Sequence, residues 1–341
     1  MRLLVTGSAG HLGEALMRTL PHVGHDPVGI DILASPYTHH IGSIVDRAFV
    51  SRCLHGVEAV LHTATLHKPH LATHSRQDFI DTNVTGTLNL LEESRAAGVR
   101  AFVFTSTTST FGAALVPAID EPAAWITEDV VAVPKNIYGV TKIAAEHLCE
   151  LFHRSFGLPC LILRTSRFFP EPDDRKETRD GYADLNAKAN EFLYRRADIE
   201  DIVNAHVLAL ANAGAIGFRR YIISATTPFT RDDLVELRTN APAVVARRAP
   251  GYQKVYAARG WSMFPAIDRV YINERARREL GWRPKYDYEC ILKLVEASET
   301  ISSPLAQAVG AKGYHASTFA DGPYPVESAS DALSPRRIEP S

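Results

Sequence analysis

Short apolar runs alternate with longer segments of helical periodicity through the first half of the chain. The apolar runs, which predict strands, cover residues 3–5, 27–32, 57–62, 100–107 and 160–163. The segments between them that predict helices cover residues 12–20, 78–97 and 138–156. Strands that are apolar throughout are buried on both faces, and intervening helices allow neighbouring strands to run parallel. The pattern therefore predicts an α/β fold with a doubly wound parallel sheet.

The pattern loosens after Arg164. Residues 171–184 are dense in charge and proline, which predicts an exposed loop. The elements predicted beyond it are a helix at 198–213, a strand at 221–223, a helix capped by Thr230 and Asp233, and a short helix at 273–280. From Ser302 onwards small residues and proline dominate, which is typical either of a disordered tail or of a segment wrapped on the surface.

The composition is that of an ordinary globular protein, with 341 residues and a net charge of −2. This charge balance gives no electrostatic basis for binding nucleic acid or an anionic membrane. No apolar stretch approaches the length of a membrane span, and the N-terminus lacks the apolar run of a signal peptide. The four cysteines are scattered, which favours reduced thiols over a disulfide scaffold or a zinc site. These features predict a soluble, cytoplasmic protein.

Three glycines follow the first predicted strand at intervals of three residues: Gly7, Gly10 and Gly13. Glycines at a strand-to-helix turn let the backbone approach a pyrophosphate, whose charge then lies at the helix N-terminus. Asp31 lies 18 residues after Gly13, where a carboxylate accepts hydrogen bonds from a ribose diol and repels a 2′-phosphate. The pattern predicts a dinucleotide site that prefers NAD over NADP. The alternative is a glycine turn with an unrelated surface aspartate.

Tyr138 and Lys142 are four residues apart on a predicted helix and therefore share a face. A free tyrosine has a pKa of roughly 10, and a nearby ammonium and an oxidised nicotinamide are both expected to lower it. Such a tyrosine can take the proton of a hydroxyl while hydride leaves for the nicotinamide. The pair thus predicts the catalytic centre of a hydride-transfer enzyme. The alternative is an amphipathic helix with an incidental tyrosine.

Further motifs accompany these two in a fixed order along the chain. They are His62-Thr63-Ala64 at the end of the third predicted strand and Asn83-Val84-Thr85-Gly86-Thr87 in the long helix before the fourth. Together with the glycine turn and the Tyr138–Lys142 pair, they resemble the extended short-chain dehydrogenase/reductases, and among these the NAD-dependent epimerase/dehydratase family. The resemblance implies a Rossmann-like fold with NAD as the cofactor.

The resemblance also assigns residues to the site. It places a catalytic hydroxyl at Thr107, within a run of hydroxyl residues, rather than at Ser106 or Thr108. The cofactor contacts that it implies are Gly7, Ala9, Gly10, His11, Leu12, Gly13, Asp31, Ser43, Ile44, His62, Ala64, Asn83 and Lys142. Ser43 stands where family members often have an aspartate that touches adenine, so this contact is expected to be weaker or to come from the backbone.

The substrate is less well defined by the sequence. Arg167 stands where nucleotide-sugar members usually have Asn, and the RPGD segment whose Arg grips a diphosphate is missing near Met263. These departures put a nucleotide-diphosphate substrate in doubt. Residues 169–172 resemble a stretch of uronate dehydrogenases, in which a basic residue shortly afterwards holds the carboxylate of a sugar acid; Arg175 or Lys176 would serve here. The alternative is a solvated charged loop.

Several basic residues follow the third predicted strand, where ligands bind in open α/β sheets: His67, Lys68, His70 and His74. The loop lacks the ligand spacing of a metal site and its lysine disfavours a cation, so no metal is predicted. The predicted substrate contacts are His67, Lys68, Thr108, Arg167 and Arg175.

The favoured function is NAD-dependent hydride transfer at a secondary alcohol carbon of a sugar or sugar derivative. A redox-neutral epimerase is the favoured enzyme, and a net dehydrogenase of a sugar acid is the alternative. A non-catalytic NAD(P)-sensing protein is a remote alternative, because such proteins typically lose the Tyr or the Lys. By family analogy we expect a homodimer joined through the helices that carry Asn83 and Tyr138. We expect the chain to divide into three parts. Residues 1–165 form an NAD-binding core that includes the catalytic helix, residues 166–301 form a small, mostly C-terminal substrate lobe together with elements that belong to the core, and residues 302–341 form a tail.

Overall fold

The computed structural model describes residues 1–118 and 120–313. Its centre is a seven-stranded sheet in which neighbouring strands are parallel. Including a separate pair, the strands of the described residues are β1 (Arg2–Thr6), β2 (Asp26–Asp31), β3 (His40–Ile41), β4 (Ala59–His62), β5 (Ala101–Thr107), β6 (Ala124–Ile126), β7 (Cys160–Thr165), β8 (Phe218–Ile223) and β9 (Arg269–Tyr271). The sheet order is β3-β2-β1-β4-β5-β7-β8, while β6 pairs with β9 separately. This order confirms the predicted doubly wound parallel sheet.

Helices connect these strands: α1 (His11–Thr19), α2 (Arg47–Cys53), α3 (Arg76–Phe79), α4 (Gly86–Ala96), α5 (Ile137–Phe156), α6 (Lys176–Gly181), α7 (Asp184–Glu191), α8 (Ile199–Ile216), α9 (Leu234–Leu237), α10 (Ala241–Arg248), α11 (Tyr252–Arg259), α12 (Glu274–Glu279), α13 (Tyr288–Glu296) and α14 (Pro304–Val309). The helix predicted over 78–97 is divided, because a π-helical turn at Ile80–Thr85 separates α3 from α4. Such turns are frequent at functional sites, and this one carries Asn83. None of the described helices is both long and apolar enough to cross a membrane.

Alternate residues of the central strands pack into two different hydrophobic cores. Leu3 and Val5 of β1 lie in one cluster with α1 and α8, whereas Leu4 lies in another with residues of α2, α4 and α5. Because successive side chains of a strand point to opposite faces, both faces of the sheet are covered by helices. This explains why the strands are apolar throughout.

A further hydrophobic core is formed mostly by residues that follow β7 and includes Phe192, Tyr256 and Tyr288. Residues 302–313 then return to the sheet. The backbone N–H of Ser303 donates to the Asp198 carboxylate at 2.9 Å, and α14 packs against α1 and α8. Of the tail predicted from residue 302, residues 314–341 lie outside the described residues.

The prediction of an exposed loop over residues 171–184 is wrong for its first part. Asp173 and Asp174 are buried, and α6 and α7 follow them directly. The many charged residues of this segment suggested that it is exposed to solvent. In the folded chain, however, positively charged side chains lie beside the two carboxylates. Arg195 lies 3.0 Å from Asp173, and Lys68 forms an ion pair with Asp174. Paired in this way, the carboxylates can be buried.

Candidate active site

A cavity of about 830 Å³ opens at the carboxyl ends of β1, β2, β4, β5 and β7. Ligands bind at this edge of open parallel sheets, and the volume suits a small-molecule site. The predicted site residues that line it are Gly7, Ala9, Gly10, His11, Leu12, Gly13, Asp31, Ser43, Ile44, Ala64, His67, Lys68, Thr107, Thr108, Tyr138, Lys142, Arg167 and Arg175. The sequence predictions therefore converge on one place in the fold.

The glycine turn leaves no room for side chains. Gly7 has a φ of +73°, and a Cβ built on it would lie 2.8 Å from the amide nitrogen of Ala64. A Cβ on Gly13 would lie 1.9 Å from the carbonyl oxygen of Gly7. The bare backbone of this turn lines the cavity immediately before α1 begins at His11. A cradle that side chains would fill, at the N-terminus of a helix, fits the pyrophosphate of a dinucleotide.

Asp31 lies beside this turn at the end of β2. Its Oδ2 accepts a hydrogen bond from Ala9 N at 3.0 Å and its Oδ1 accepts one from Leu33 N at 2.9 Å. A carboxylate oxygen has a further lone pair for a second donor. The residues present therefore fit NAD: a backbone cradle for the pyrophosphate, and a carboxylate available to the ribose hydroxyls.

Removal of the Asp31 carboxylate should weaken the preference for NAD over NADP. Asp31→Ala is expected to narrow the ratio of the NADP and NAD dissociation constants by roughly tenfold, because the charge that repels a 2′-phosphate is lost. Asp31→Asn keeps an acceptor for the amide of Ala9 and controls for damage to the turn. Calorimetric titration with both cofactors measures the ratio. A wild-type protein that prefers NADP would contradict the role of Asp31.

His62 and Asn83 lie behind the cavity rather than in its lining, which differs from the cofactor contacts implied by the family resemblance. Both ring nitrogens of His62 are hydrogen-bonded, to Thr6 Oγ1 at 2.8 Å and to Thr87 Oγ1 at 2.9 Å. Asn83 accepts from Leu66 N at 2.8 Å and donates to Leu66 O at 2.9 Å. These polar groups are therefore engaged within the protein, and they fix the strand end and loop that border the site.

Tyr138, Thr107 and Lys142 come together in the cavity. Tyr138 and Thr107 both line it. One turn further along α5, Lys142 Nζ donates to the carbonyl oxygen of Thr105 at 2.6 Å and lies 4.0 Å from the centre of the Phe104 ring. The end of β5 thus positions both side chains of the predicted pair. The phenol of Tyr138, the hydroxyl of Thr107 and the amine of Lys142 thus belong to the lining of one cavity.

The other hydroxyls at the end of β5 have different partners. Thr105 Oγ1 is hydrogen-bonded to His206 Nε2 at 2.8 Å, and Ser106 Oγ donates to Glu146 Oε1 at 2.6 Å. Thr107 lines the cavity and is the member of this run that opposes the rise in the pKa of Tyr138. These contacts support Thr107 over Ser106 as the hydroxyl that meets a substrate oxygen.

Burial shifts the pKa values of the two predicted catalytic groups in opposite directions. It raises the pKa of Tyr138 to about 12, although the hydrogen bond with Thr107 opposes this rise. It lowers the pKa of Lys142 to about 7, although the nearby Glu146 carboxylate opposes this fall. The lowered tyrosine pKa expected from the sequence is therefore not produced by the protein's own groups, because the buried phenol loses the solvation that its anion needs.

A buried ion cluster supports the catalytic helix. Glu146 lies one turn after Lys142 and accepts two hydrogen bonds from Arg164, at 2.9 and 2.7 Å, and one from Arg220 at 3.0 Å. With Ser106 these residues join α5 to β5, β7 and β8. The sequence analysis missed the cluster, because its members are far apart in the chain and share no motif.

Arg167 is engaged with internal carboxylates. Its guanidinium lies 3.2 Å from Asp174, 3.6 Å from Asp173 and 3.7 Å from Glu191. A half-buried arginine is stabilised by such partners or by an anionic ligand, and here the protein supplies the partners. Arg175, by contrast, is exposed at the edge of the cavity.

His67 and Lys68 line the cavity close to this acidic group. The ring of His67 stacks on Phe169 with their centres 5.5 Å apart, and burial lowers the pKa of His67 well below its usual range. Lys68 forms an ion pair with Asp174. Across the described part of the chain, no group of His, Cys, Asp and Glu side chains is placed to hold a metal ion.

Several lining residues were not predicted from the sequence: Ser166, Arg195, Arg269, Tyr271 and Lys312. Arg269 and Tyr271 belong to β9, a three-residue strand that pairs with β6. Lys312 belongs to the segment that returns over α1. Among these residues, Ser166 alone could have been predicted from the sequence. It directly follows β7, and residues that follow parallel strands meet at the ligand-binding edge of the sheet.

Glu171 contacts both the last described residues of the chain and the start of α1, next to the glycine turn. Its Oε1 accepts hydrogen bonds from the amides of Lys312, at 3.1 Å, and Gly313, at 3.2 Å, and contacts His11 Nε2 at 2.9 Å. Lys312 also forms an ion pair with Glu14. Residues 310–313 are thereby held against the N-terminal part of α1, beside the cofactor cradle.

This contact predicts an acid-sensitive contribution to folding. Burial raises the pKa of Glu171, but the hydrogen bond with His11 and the backbone donors outweigh it and lower the pKa to about 2. The folded state therefore favours the carboxylate, so its stabilisation is full above the ordinary pKa of 4.5 and is lost as the pH falls towards 2. Glu171→Gln should cost on the order of 2 kcal/mol at neutral pH.

Urea unfolding from pH 7 to pH 2 checks this expectation. The difference in unfolding free energy between wild type and Glu171→Gln should shrink below about pH 4.5. Glu177→Gln, a change at an exposed position of the same segment, serves as the matched control. A difference that stays constant across this range would refute the assignment.

Comparisons with known proteins agree with the fold and with NAD as the cofactor. A model of the NAD-dependent epimerase/dehydratase family matches residues 3–223. A UDP-glucose 4-epimerase of Corynebacterium glutamicum is 26% identical over 321 residues, covering 84% of this chain and 92% of the relative. A 3-beta-hydroxysteroid dehydrogenase of Mycolicibacterium neoaurum is 24% identical over 331 residues, with coverages of 84% and 88%.

Solved structures share the architecture. A short-chain dehydrogenase/reductase superfamily protein from Agrobacterium tumefaciens with bound NAD is 24% identical, with a TM-score of 0.63 over 87% of this chain and 97% of that chain. The parallel sheet, the glycine turn and the Tyr138–Lys142 pair define an enzyme of the extended short-chain dehydrogenase/reductase class. The chain belongs to the NAD-dependent epimerase/dehydratase family, and its cofactor is NAD.

Proposed function

We propose that the protein catalyses hydride transfer at a secondary alcohol carbon of a sugar or sugar derivative, and that its net reaction is a redox-neutral epimerisation. The observation that carries this proposal is that Tyr138, Thr107 and Lys142 line one cavity together with the glycine turn. A proton acceptor is thereby placed in the same ligand space as the cofactor cradle.

Bound NAD supplies a hydride acceptor that can return the hydride to either face of a carbonyl. Thr107 orients the oxygen of the substrate alcohol, and Tyr138 takes its proton. Because burial raises the pKa of Tyr138 to about 12, proton uptake requires added positive charge beside the phenol, which lowers its pKa. Lys142, fixed by the carbonyl of Thr105, supplies charge on the same helix face when it is protonated.

Different observations favour each net reaction. The relative named UDP-glucose 4-epimerase, matched along most of both chains, supports epimerisation. The second candidate is a net dehydrogenase of a sugar acid. Arg175, which lines the exposed edge of the cavity, favours it, because a guanidinium group suits a carboxylate-bearing substrate.

A substrate panel separates the two reactions. Purified enzyme with NAD is incubated with uronic acids, neutral sugars and UDP-sugars, and free NADH and product stereochemistry are followed together. An epimer formed without NADH release is the expected result. Stoichiometric NADH release on a uronic acid establishes the second candidate instead, and turnover of none of these classes contradicts the proposed function.

A further inference from the structure

The last described residues of the chain lie beside the cofactor cradle. Helix α14 is anchored by Val309, which is buried in the same hydrophobic core as residues of α1. The chain leaves α14 through Gly310, whose φ of +64° is a left-handed conformation that favours glycine. We call residues 310–313 the C-terminal strap. Two of its residues, Lys312 and Gly313, line the large cavity together with the glycine turn.

Glu171 fastens the strap to the border of the cavity. Its Oε1 accepts hydrogen bonds from the amides of Lys312 and Gly313, at 3.1 and 3.2 Å, and lies 2.9 Å from His11 Nε2. His11 follows β1 and Glu171 lies in the segment after β7, whereas β4 and β5 lie between these two strands in the sheet. The contact therefore joins two borders of the cavity that are separated by two strands.

A second contact holds the side chain of the strap. Lys312 forms an ion pair with Glu14, which lies in the first turn of α1 and is buried. Glu14 also pairs with Arg18 at 2.8 Å, so its charge keeps a partner when Lys312 is absent. The two amide hydrogen bonds to Glu171 therefore carry most of the fastening, because bonds to a charged acceptor are stronger than an ordinary pair at the surface.

We infer that the C-terminal strap covers the dinucleotide site, and that NAD enters and leaves only while the strap is released from Glu171. The inference concerns the cofactor and holds for either net reaction. Its consequence for catalysis rests on the proposed function. A redox-neutral epimerisation regenerates NAD at every turnover, whereas a net dehydrogenase must release NADH each time. A strap that slows cofactor exchange therefore suits an epimerase.

A cover and a simple contact differ in their effect on the binding kinetics. If the site is accessible only while the strap is released, the released fraction multiplies both the association and the dissociation rate constant. It then cancels from their ratio, the dissociation constant. Loss of a contact to the cofactor, or damage to its site, instead acts mainly on the dissociation rate constant.

Stopped-flow measurements of NADH fluorescence in the full chain test the inference. Mixing with NADH gives the association rate constant, and displacement by excess NAD gives the dissociation rate constant. Lys312→Pro removes an amide donor of the strap, and Glu171→Ala removes the acceptor. Each variant should raise both rate constants by at least roughly tenfold, because hydrogen bonds to a charged group are lost, while the dissociation constant for NADH changes less.

Two control variants separate the fastening from other effects. Lys312→Ala keeps the amide and removes the ammonium, so both rate constants should stay within about threefold of wild type. Glu177→Ala, at an exposed position of the segment that carries Glu171, should change neither. Thermal unfolding of each variant reports its folding. Since Lys312 lies beyond α14, Lys312→Pro keeps the test decisive even if Glu171→Ala folds poorly.

Unchanged rate constants in Lys312→Pro and Glu171→Ala would overturn the inference. So would a rise in the dissociation rate constant alone, which would make the strap a contact and not a cover. No sugar is present in this test, so its outcome is separate from that of the proposed reaction. A strap that controls NADH exchange in a protein that epimerises no sugar would leave the inference standing and contradict the proposed function.

Discussion

Tyr138→Phe should lower kcat by at least roughly a hundredfold, because a positioned proton acceptor contributes about 10²- to 10⁴-fold to such reactions. The dissociation constant for NAD should change little, since the phenol acts on the substrate oxygen and is not part of the glycine turn or the Asp31 contacts. Because Thr107 lines the same cavity as Tyr138, Thr107→Val should reduce kcat by a smaller factor. Steady-state kinetics and calorimetric NAD titration provide the two readouts.

Tyr182→Phe supplies the control for this variant, because Tyr182 is packed against the hydrophobic core that includes Phe192 and Tyr256. Its activity should remain close to that of the wild type. Turnover by Tyr138→Phe within about tenfold of wild type would remove Tyr138 from the catalytic centre.

Glu146→Gln should destabilise the protein by about 3–5 kcal/mol, the usual consequence of removing one partner from a buried ion pair. The reason is that Arg164, itself buried, keeps its charge while losing the carboxylate that accepts its two hydrogen bonds at 2.9 and 2.7 Å. The same change should lower the pKa of Lys142 further, because the Glu146 charge raises it. Chemical unfolding measures the first effect.

Glu150→Gln is the matched control, because Glu150 lies one turn further along α5 and contacts Arg220 at 2.7 Å while partly exposed. Its cost should stay below about 1 kcal/mol, as for exposed ion pairs. The double variant Glu146→Leu with Arg164→Met should recover part of the lost stability, since no charge remains unpaired. Equal, small losses for Glu146→Gln and Glu150→Gln would contradict the role of the buried cluster.

The central strands and the glycine turn could be predicted because each is encoded locally. β1, β4, β5 and β7 are short apolar runs, and the positions of Gly7 and Gly13 are imposed by backbone contacts that no Cβ could tolerate. The spacing of Tyr138 and Lys142 is likewise a property of a single helix. In contrast, β3 and β9 have two and three residues, too few to show a period in the sequence.

The substrate side could not be predicted in the same way, because its contacts join distant segments. Asp173 and Asp174 appear solvated in the sequence, and their burial depends on Lys68 and Arg195. Nothing local to Arg269 indicates that β9 brings it to the cavity. The sequence likewise predicted a lowered pKa for Tyr138 from chemistry alone, whereas desolvation by the surrounding fold raises it.

The fate of deuterium on the reacting carbon tests the central claim, hydride transfer, most directly. The sugar found active in the substrate panel is deuterated at its ring carbons and turned over in ordinary water, and mass spectrometry and NMR locate the label. Hydride transfer predicts that the deuterium stays with the epimeric product, or appears on the nicotinamide of released NADH if the net reaction is oxidation. Loss of the deuterium to water would show removal of the hydrogen as a proton and would contradict NAD-dependent hydride transfer by this protein.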